Sequence, residues 1–200
     1  MMGLGNELGG DVELMRSWLT EFRRHDARRL YCYGANNFLG WKGPLEGEDF
    51  LVTCRVGGGD KYSTLVRTSF AFVDAEQGGL LNGCRPSSVG DYSAAIARSP
   101  RPVVGHETGQ FQIYPDYTEI ERYTGVLYPY NLIEFRRRLA ENGLAEQAAD
   151  FHYATGRLAA ACYKADIEQA LRTPGMGGFQ LLDLQDYPGQ GTALVGILDA

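Results

Sequence analysis

The sequence predicts an α/β fold with a mostly parallel sheet, and three observations carry that prediction. Short apolar segments alternate with amphipathic helical segments along the 200 residues. Polar residues follow the carboxyl end of most of these apolar segments. A content of 44% hydrophobic and 12% aromatic residues is enough for one sizeable core. Because parallel strands need a crossover connection, usually a helix, the alternation indicates βα units within one domain over residues 1–200.

The first predicted unit is a strand followed by a helix. Residues 1–7 are apolar and glycine-rich, and they predict a short buried strand that ends at Asn6 and Glu7. A Gly-Gly-Asp turn follows, and we expect Asp11 to cap a helix over residues 12–27. The predicted apolar face of this helix consists of Leu14, Met15, Trp18, Leu19 and Phe22.

Two further strands are predicted in the first third of the chain. Residues 30–34 form an aromatic-rich strand that leads to Asn36 and Asn37, which serve either as turn residues or as ligand-binding groups. Residues 50–56 form the next strand, which ends in a run of glycines. We expect about 57–90 to be an insertion on the surface of the domain.

The second half of the chain repeats the pattern of strands and helices. The predicted elements are, in order, a helix at 91–98, a strand at 102–105, helices at 132–142 and 145–172, and a strand at 179–184. His106 and Glu107 directly follow the strand at 102–105. The last strand leads into a polar, glycine-rich loop that carries Gln185, Asp186 and Tyr187.

Functional groups collected at the carboxyl ends of parallel strands are typical of a (β/α)₈ TIM barrel. Such a barrel has eight strands and takes roughly 250 residues, so five candidate strands are too few. The sequence therefore predicts the C-terminal part of a barrel, about strands 4–8, which completes its sheet with N-terminal barrel strands of a longer parent chain. Taken alone, this part would expose a sheet edge and is expected to be poorly soluble or to dimerise.

Composition and charge exclude several other classes of function. The net charge of −6 and the pI of about 5.1 argue against nucleic acid as a partner. No run approaches the ~18 apolar residues of a membrane-spanning helix, so no membrane partner is expected. His25, His106 and His152 share no metal-ligand spacing, and no cofactor motif is present. The N-terminus resembles the middle of a domain, which leaves open whether a parent enzyme is periplasmic or secreted.

Two glutamates stand where a glycosidase needs its carboxyl groups. Glycoside hydrolysis requires one carboxylic acid to protonate the leaving oxygen and a second carboxylate near the anomeric carbon. Glu7 closes the first predicted strand and Glu107 the fourth, so both are expected at the same rim of the sheet. The alternatives are a surface carboxylate for Glu7 and a structural ion pair for Glu107.

At these positions the chain resembles the clan A glycoside hydrolases, and within them glycoside hydrolase family 2. In that family an Asn-Glu pair closes strand four and a glutamate followed by a residue and glycine closes strand seven, as do Asn6-Glu7 and Glu107-Thr108-Gly109 here. The segments 106–115 and 178–191 also look like stretches of such enzymes. The resemblance implies a retaining, exo-acting β-glycosidase without a cofactor, preceded by sandwich domains in the parent chain.

The resemblance also implies roles for individual residues. Glu107 would be the nucleophile, Glu7 the general acid/base, and Asn6 a hydrogen-bond partner of the sugar 2-hydroxyl. Tyr187 could stack on the sugar in place of the tryptophan that often follows strand eight in the family. The other substrate-binding candidates are Asn36, Asn37, His106, Gln185 and Asp186.

Alternatives remain open for some of these residues and for the function. His106 either holds Glu107 or binds a sugar hydroxyl, and Gln185 and Asp186 either meet the ligand or belong to a plain loop. The alternative function is a non-catalytic carbohydrate-binding barrel fragment. A metal-dependent barrel hydrolase is disfavoured because the histidines are not clustered.

Overall fold

The computed structural model describes residues 1–35, 44–57, 65–68, 87–186 and 194–200. The strands are β1 Met2–Gly3, β2 Tyr31–Cys32, β3 Leu51–Thr53, β4 Val103–Gly109 and β5 Gly178–Leu182. The α-helices are α1 Val12–His25, α2 Ser93–Ile96, α3 Tyr130–Glu141 and α4 Ala148–Arg172. Short 3₁₀ segments cover Tyr117–Arg122, Ala145–Gln147 and Ile197–Asp199. The chain is therefore a mixed α/β protein, as the alternation in the sequence predicts.

The chain divides into two compact units. The first unit comprises residues 1–108 and 165–181, and the second comprises residues 109–164 and 182–200. In the described part of the chain, no helix is long and apolar enough to cross a membrane.

In the first unit the strands lie side by side in chain order, and β1 to β4 run parallel. β1 pairs with β2, and β3 pairs with β4, both in parallel. Two isolated parallel bridges connect these pairs, because Ala35 bridges both Asn6 and Val52. β5 lies beside β4. The small sheets are thus joined in the order β1, β2, β3, β4, β5.

Both faces of the central strands are buried, which is typical of parallel sheets. Leu51 and Val103 are partners in the β3–β4 register and belong to a cluster with Tyr92, which directly precedes α2, and Ala170 on α4. The next partners in the register pack on the opposite face, because side chains alternate along a strand. That second cluster consists of Cys32, Ala35, Phe50, Val52 and Val104.

Helix α1 begins and ends close to the predicted bounds. The carboxylate of Asp11 accepts hydrogen bonds from the backbone N–H groups of Glu13 and Leu14, which confirms the predicted N-cap. Only part of the predicted apolar face is buried, since Met15 and Leu19 pack against Tyr31 and Tyr33. The other three residues of that face, Leu14, Trp18 and Phe22, are 40 to 47% exposed.

Two further details differ from the sequence-based expectations. The strand at 102–105 extends to Gly109, so that Glu107 lies within β4 rather than beyond it. The segment 57–90 was expected on the surface, but Leu65, Val66 and Arg67 are buried. Leu65 forms an antiparallel bridge with Arg55, which draws this short segment into the core of the first unit.

The second unit is organised around Tyr163, whose side chain is completely buried. Its hydroxyl donates to the carbonyl oxygens of Leu182 and Val195, and its ring packs edge-on against Phe111. Gly109 lies so close to the ring that a Cβ at this position would overlap Tyr163. The backbone of Gly109 also has a φ of +110°, which glycine adopts readily.

Candidate functional site

The register of the sheet brings Asn6 and His106 together. Asn6 bridges Ala35, Ala35 bridges Val52, and Val52 pairs with Val104, so these four residues form one row across the strands. His106 follows Val104 by two positions and therefore lies on the same face of the sheet. The Nε2 atom of His106 is 2.9 Å from Oδ1 of Asn6.

The second ring nitrogen of His106 also has a polar partner. Nδ1 lies 3.0 Å from Oε1 of Gln180 on β5. A protonated imidazolium donates to both amide oxygens, whereas a neutral ring donates to only one of them. The ring is thereby fixed between the end of β1 and the middle of β5, on the face of the sheet that carries Asn6.

Glu107 is held by Arg67 and His106. Nη1 of Arg67 lies 2.8 Å from the carbonyl oxygen of Glu107 and 3.3 Å from its Oε2. Nε2 of His106 lies 3.5 Å from Oε1 of the same carboxylate. The hydrogen bond from His106, supported by the charges of His106 and Arg67, lowers the pKa of Glu107 to about 2. Glu107 is therefore a carboxylate at neutral pH.

A buried hydrogen-bond network fixes the segment that carries Arg67. Asp166 on α4 is fully buried, and its Oδ1 accepts from the backbone N–H of Thr68 at 3.0 Å and from the hydroxyl of Tyr92 at 2.6 Å. The Arg67 side chain is only 2% exposed. Because its neighbour Thr68 is anchored to α4, Arg67 is held in the position from which it contacts Glu107.

Glu7 lies next to Asn6, as Glu107 lies next to His106. The backbone N–H of Glu7 donates to the carbonyl oxygen of Ala35, while its side chain is exposed and makes no hydrogen bond in the described part of the chain. Both glutamates have a backbone φ of 52°, in the left-handed region that non-glycine residues seldom occupy. Such conformations cluster at functional sites, because the surrounding structure must hold them.

Gln185 and Asp186 belong to the second unit, where they line a cavity with Tyr114 and Asp199. The carboxylate of Asp186 accepts from the backbone N–H groups of Val195 and Gly196. Burial, together with the nearby charges of Asp199 and Asp183, raises the pKa of Asp186 to about 6. This environment differs from that of Glu107, whose carboxylate has Arg67 and His106 as partners.

The structure thus groups some of the predicted site residues and separates others. Asn6, His106 and Glu107 contact one another in the first unit, with Glu7 adjacent in the chain. Gln185 and Asp186 lie in the second unit. Asn36, Asn37 and Tyr187 fall outside the described residues, so their predicted roles stay predictions.

Sequence reasoning missed two residues of this site, Arg67 and Gln180. Arg67 follows Leu65 and Val66, and a cation beside two apolar residues is a weak signal of a buried, paired side chain. Gln180 is one polar residue within an apolar strand, which gives no sign of its contact with His106.

Comparisons with known proteins give no family for this chain. No protein-family model matches the sequence, and no curated protein matches it significantly. The functional conclusion therefore rests on the sequence motifs and on the geometry around Glu107.

Proposed function

We propose that this chain is the C-terminal part of a (β/α)₈ barrel and carries the catalytic carboxyl groups of a retaining β-glycosidase that removes a terminal sugar. The observation that carries the proposal is the convergence of two dipeptides. Asn6-Glu7 lies at an isolated parallel bridge and His106-Glu107 within β4, far apart in the chain, and the Asn6–His106 hydrogen bond of 2.9 Å joins them.

The strand order supports the barrel. Open doubly wound sheets reverse their strand order at a switch point, whereas barrel strands follow one another around the sheet in chain order. β1 to β5 lie in chain order, and the pairs and bridges from β1 to β4 are parallel. Among the described residues, the cluster on one face consists of residues from the strands and their flanks, such as Ala35, Val52 and Val104. The interior of a barrel is filled in the same way.

The charge state of Glu107 supports its role as the nucleophile. A retaining enzyme needs one carboxylate that attacks the anomeric carbon and one carboxyl group that exchanges a proton with the leaving group and then with water. The pKa of Glu107 is about 2, so it is ionised over the whole neutral range. Arg67 and His106 would also stabilise the carboxylate when it departs from the glycosyl intermediate.

The exposed side chain of Glu7 suits the second role. In the first step the Oε atom of Glu107 forms a bond to the anomeric carbon, the glycosidic bond breaks, and the leaving oxygen takes the proton of Glu7. In the second step Glu7 takes a proton from water, whose oxygen attacks the same carbon and releases Glu107. Asn6, which already bonds to His106, would bind the sugar 2-hydroxyl beside the reacting carbon.

Rates on aryl β-glycosides test this proposal. We expect Glu107→Gln and Glu7→Gln each to lower the rate by about 10²–10⁴-fold, the typical contribution of an acid/base group, with Glu107→Gln at the upper end. Glu121→Gln is the matched control, because Glu121 is an exposed glutamate of the second unit. Normal hydrolysis by both site variants would refute the proposal.

One observation favours a second candidate, a carbohydrate-binding barrel fragment without turnover. Both carboxylate oxygens of Glu107 have a positively charged or imidazole partner, an arrangement that a structural ion pair also has. Sugar binding without hydrolysis, retained in Glu107→Gln, would favour this candidate over the glycosidase.

A further inference from the structure

The second unit contains a cavity of about 450 Å³ whose lining residues all belong to that unit. Its wall is formed by the segment 113–132, by the residues that follow β5, and by the last residues of the chain. Small-molecule sites typically have volumes of about 300–1,000 Å³, so this cavity is large enough for one or two sugar rings.

Aromatic side chains form part of the cavity wall. Tyr114, Tyr123 and Tyr128 all line it. The ring of Tyr114 is fixed, because its hydroxyl bonds to the hydroxyl of Tyr117 at 2.9 Å and its ring packs edge-on against Phe151. Tyr128 is 72% exposed, so its side chain is accessible to a ligand. Tyrosine combines an apolar ring with a polar hydroxyl, which suits the C–H face and the hydroxyl groups of a sugar.

The polar residues of the wall include both donors and acceptors. Gln185 is exposed, and its amide offers two donor hydrogens and an acceptor oxygen. Asp186 accepts two backbone N–H bonds, which hold its carboxylate in place at the cavity wall. A sugar hydroxyl donates and accepts at once, so it can pair with groups of both kinds.

The charge of the wall disfavours anionic ligands. Among the described residues, the carboxylates of Asp116, Glu119, Asp186 and Asp199 line the cavity, together with Arg122 and His152. Nη1 of Arg122 lies 2.8 Å from Oε1 of Glu119, so that these two charges offset each other. A phosphate or carboxylate in the cavity would meet the negative charge of the three remaining carboxylates. The hydroxyl groups of a neutral sugar would instead donate hydrogen bonds to the carboxylates, and its C–H groups would pack against the tyrosine rings.

We propose that this cavity binds a neutral mono- or disaccharide at a site separate from the Glu107 cluster. The inference does not depend on the proposed hydrolysis, because the cavity residues of the second unit include neither Glu7 nor Glu107. A result that refutes one proposal therefore does not refute the other.

Titration of the full chain with maltose, trehalose and glucose 6-phosphate tests the proposal, with binding followed by calorimetry or ligand-observed NMR. Both disaccharides are α-linked, so a β-glycosidase does not cleave them. We expect one of the neutral disaccharides to bind with millimolar or tighter affinity and glucose 6-phosphate to bind at least about tenfold more weakly. Tyr128→Ala should weaken binding of the disaccharide by about five- to tenfold, the loss expected for one aromatic contact. Gln185→Ala should weaken it as well.

Tyr130→Ala is the matched control for Tyr128→Ala. Tyr130 is two residues further along the chain, is 71% exposed, and does not line the cavity. Loss of binding in Tyr128→Ala and Gln185→Ala, with normal binding in Tyr130→Ala, would support the site. Three outcomes would overturn it: no binding of either disaccharide, preferential binding of glucose 6-phosphate, or binding that both Tyr128→Ala and Gln185→Ala leave intact.

Discussion

Oδ1 of Asn6 lies 2.9 Å from Nε2 of His106, although 100 positions separate the two residues in the chain. This contact connects the carboxyl end of β1 with β4 and fixes the imidazole that contacts Glu107. Loss of the Asn6 amide in Asn6→Ala should cost about 1–2 kcal/mol of transition-state stabilisation, because it frees the imidazole and removes the proposed contact with the sugar 2-hydroxyl.

The expected result is a fall in kcat/KM of about tenfold on aryl β-glycosides, since each 1.36 kcal/mol corresponds to a factor of ten. Asn142→Ala is the control, because Asn142 is exposed and its side-chain amide donates to the carbonyl oxygen of Arg138 in the last turn of α3. An unchanged kcat/KM in Asn6→Ala would show that the contact has no catalytic importance.

The lowered pKa of Glu107 predicts a dependence of stability on pH. The pKa falls from 4.5 to about 2 on folding, so the carboxylate stabilises the folded state above pH 4.5. That contribution, at most about 3 kcal/mol, is lost as the pH drops from about 4.5 to 2. Urea denaturation at a series of pH values should show a smaller loss in Glu107→Gln than in the unmodified chain.

Glu121→Gln serves as the reference for that measurement, since Glu121 is exposed. If the unmodified chain and Glu107→Gln lost equal stability between pH 4.5 and pH 2, then Arg67 and His106 would not hold the carboxylate as described.

The buried position of Arg67 predicts a strong effect of its removal. Its side chain is 2% exposed and contacts the backbone and carboxylate of Glu107. Arg67→Met should lower the free energy of unfolding by about 3–5 kcal/mol, because it leaves a partly buried carboxylate without its cation. Arg67→Lys keeps the charge but loses the forked donor geometry, so we expect an intermediate value.

Chemical denaturation measures both variants, and an NMR titration of the Glu107 carboxyl carbon follows its pKa. In Arg67→Met the pKa should rise towards the ordinary value of a glutamate. A variant as stable as the unmodified chain, with an unchanged pKa of Glu107, would contradict the contact.

Gly109 is expected to tolerate no larger residue. A Cβ at this position would overlap the ring of Tyr163, and the backbone φ of +110° is strained for any L-residue with a side chain. Gly109→Ala should therefore cost about 3 kcal/mol or more, from overpacking together with backbone strain. Thermal unfolding measures the effect, and Gly125→Ala is the control because nothing lies within 4 Å of its added Cβ. Equal melting temperatures for the two variants would refute the packing around Tyr163.

Asp186 should destabilise the folded chain when it is ionised. Its pKa is raised from 3.8 to about 6, so the folded state binds a proton more tightly than the unfolded state does. The contribution of this group to the free energy of unfolding is therefore complete below about pH 3.8 and is lost as the pH rises through about 6. Above pH 6 the charge carries a penalty, which Asp186→Asn removes while its amide oxygen still accepts from Val195 and Gly196. We expect a gain of about 1–2 kcal/mol at pH 8, after allowance for solvent screening, and little gain at pH 4. A larger gain in stability at pH 4 than at pH 8 would mean that folding lowers the pKa of Asp186, and would contradict the raised value.

The sequence predicts those features that depend on neighbours in the chain. Asp11 caps α1 because its side chain reaches the N–H groups two and three residues later, and this local signal is visible in the sequence. The sequence also predicts Glu7 and Glu107 at one rim of a parallel sheet, but it does not predict the contact between Asn6 and His106.

Long-range contacts could not be predicted in the same way. Arg67 lies in a segment that looks like a surface insertion, and only the bridge from Leu65 to Arg55 and the anchor at Asp166 bring it to Glu107. Helical periodicity also predicted burial of Trp18, but periodicity shows which residues share a face and not whether a neighbour covers all of it.

The covalent intermediate at Glu107 is the most direct test of the central claim. The chain is incubated with a 2-deoxy-2-fluoro β-glycoside that has a good leaving group, so that the glycosyl-enzyme forms faster than it is hydrolysed. Proteolysis and mass spectrometry then locate the added sugar. The account predicts one fluorosugar on the peptide that contains Glu107 and none in Glu107→Gln. A sugar attached to a different carboxylate, or hydrolysis of the unfluorinated glycoside by Glu107→Gln at the unmodified rate, would contradict it.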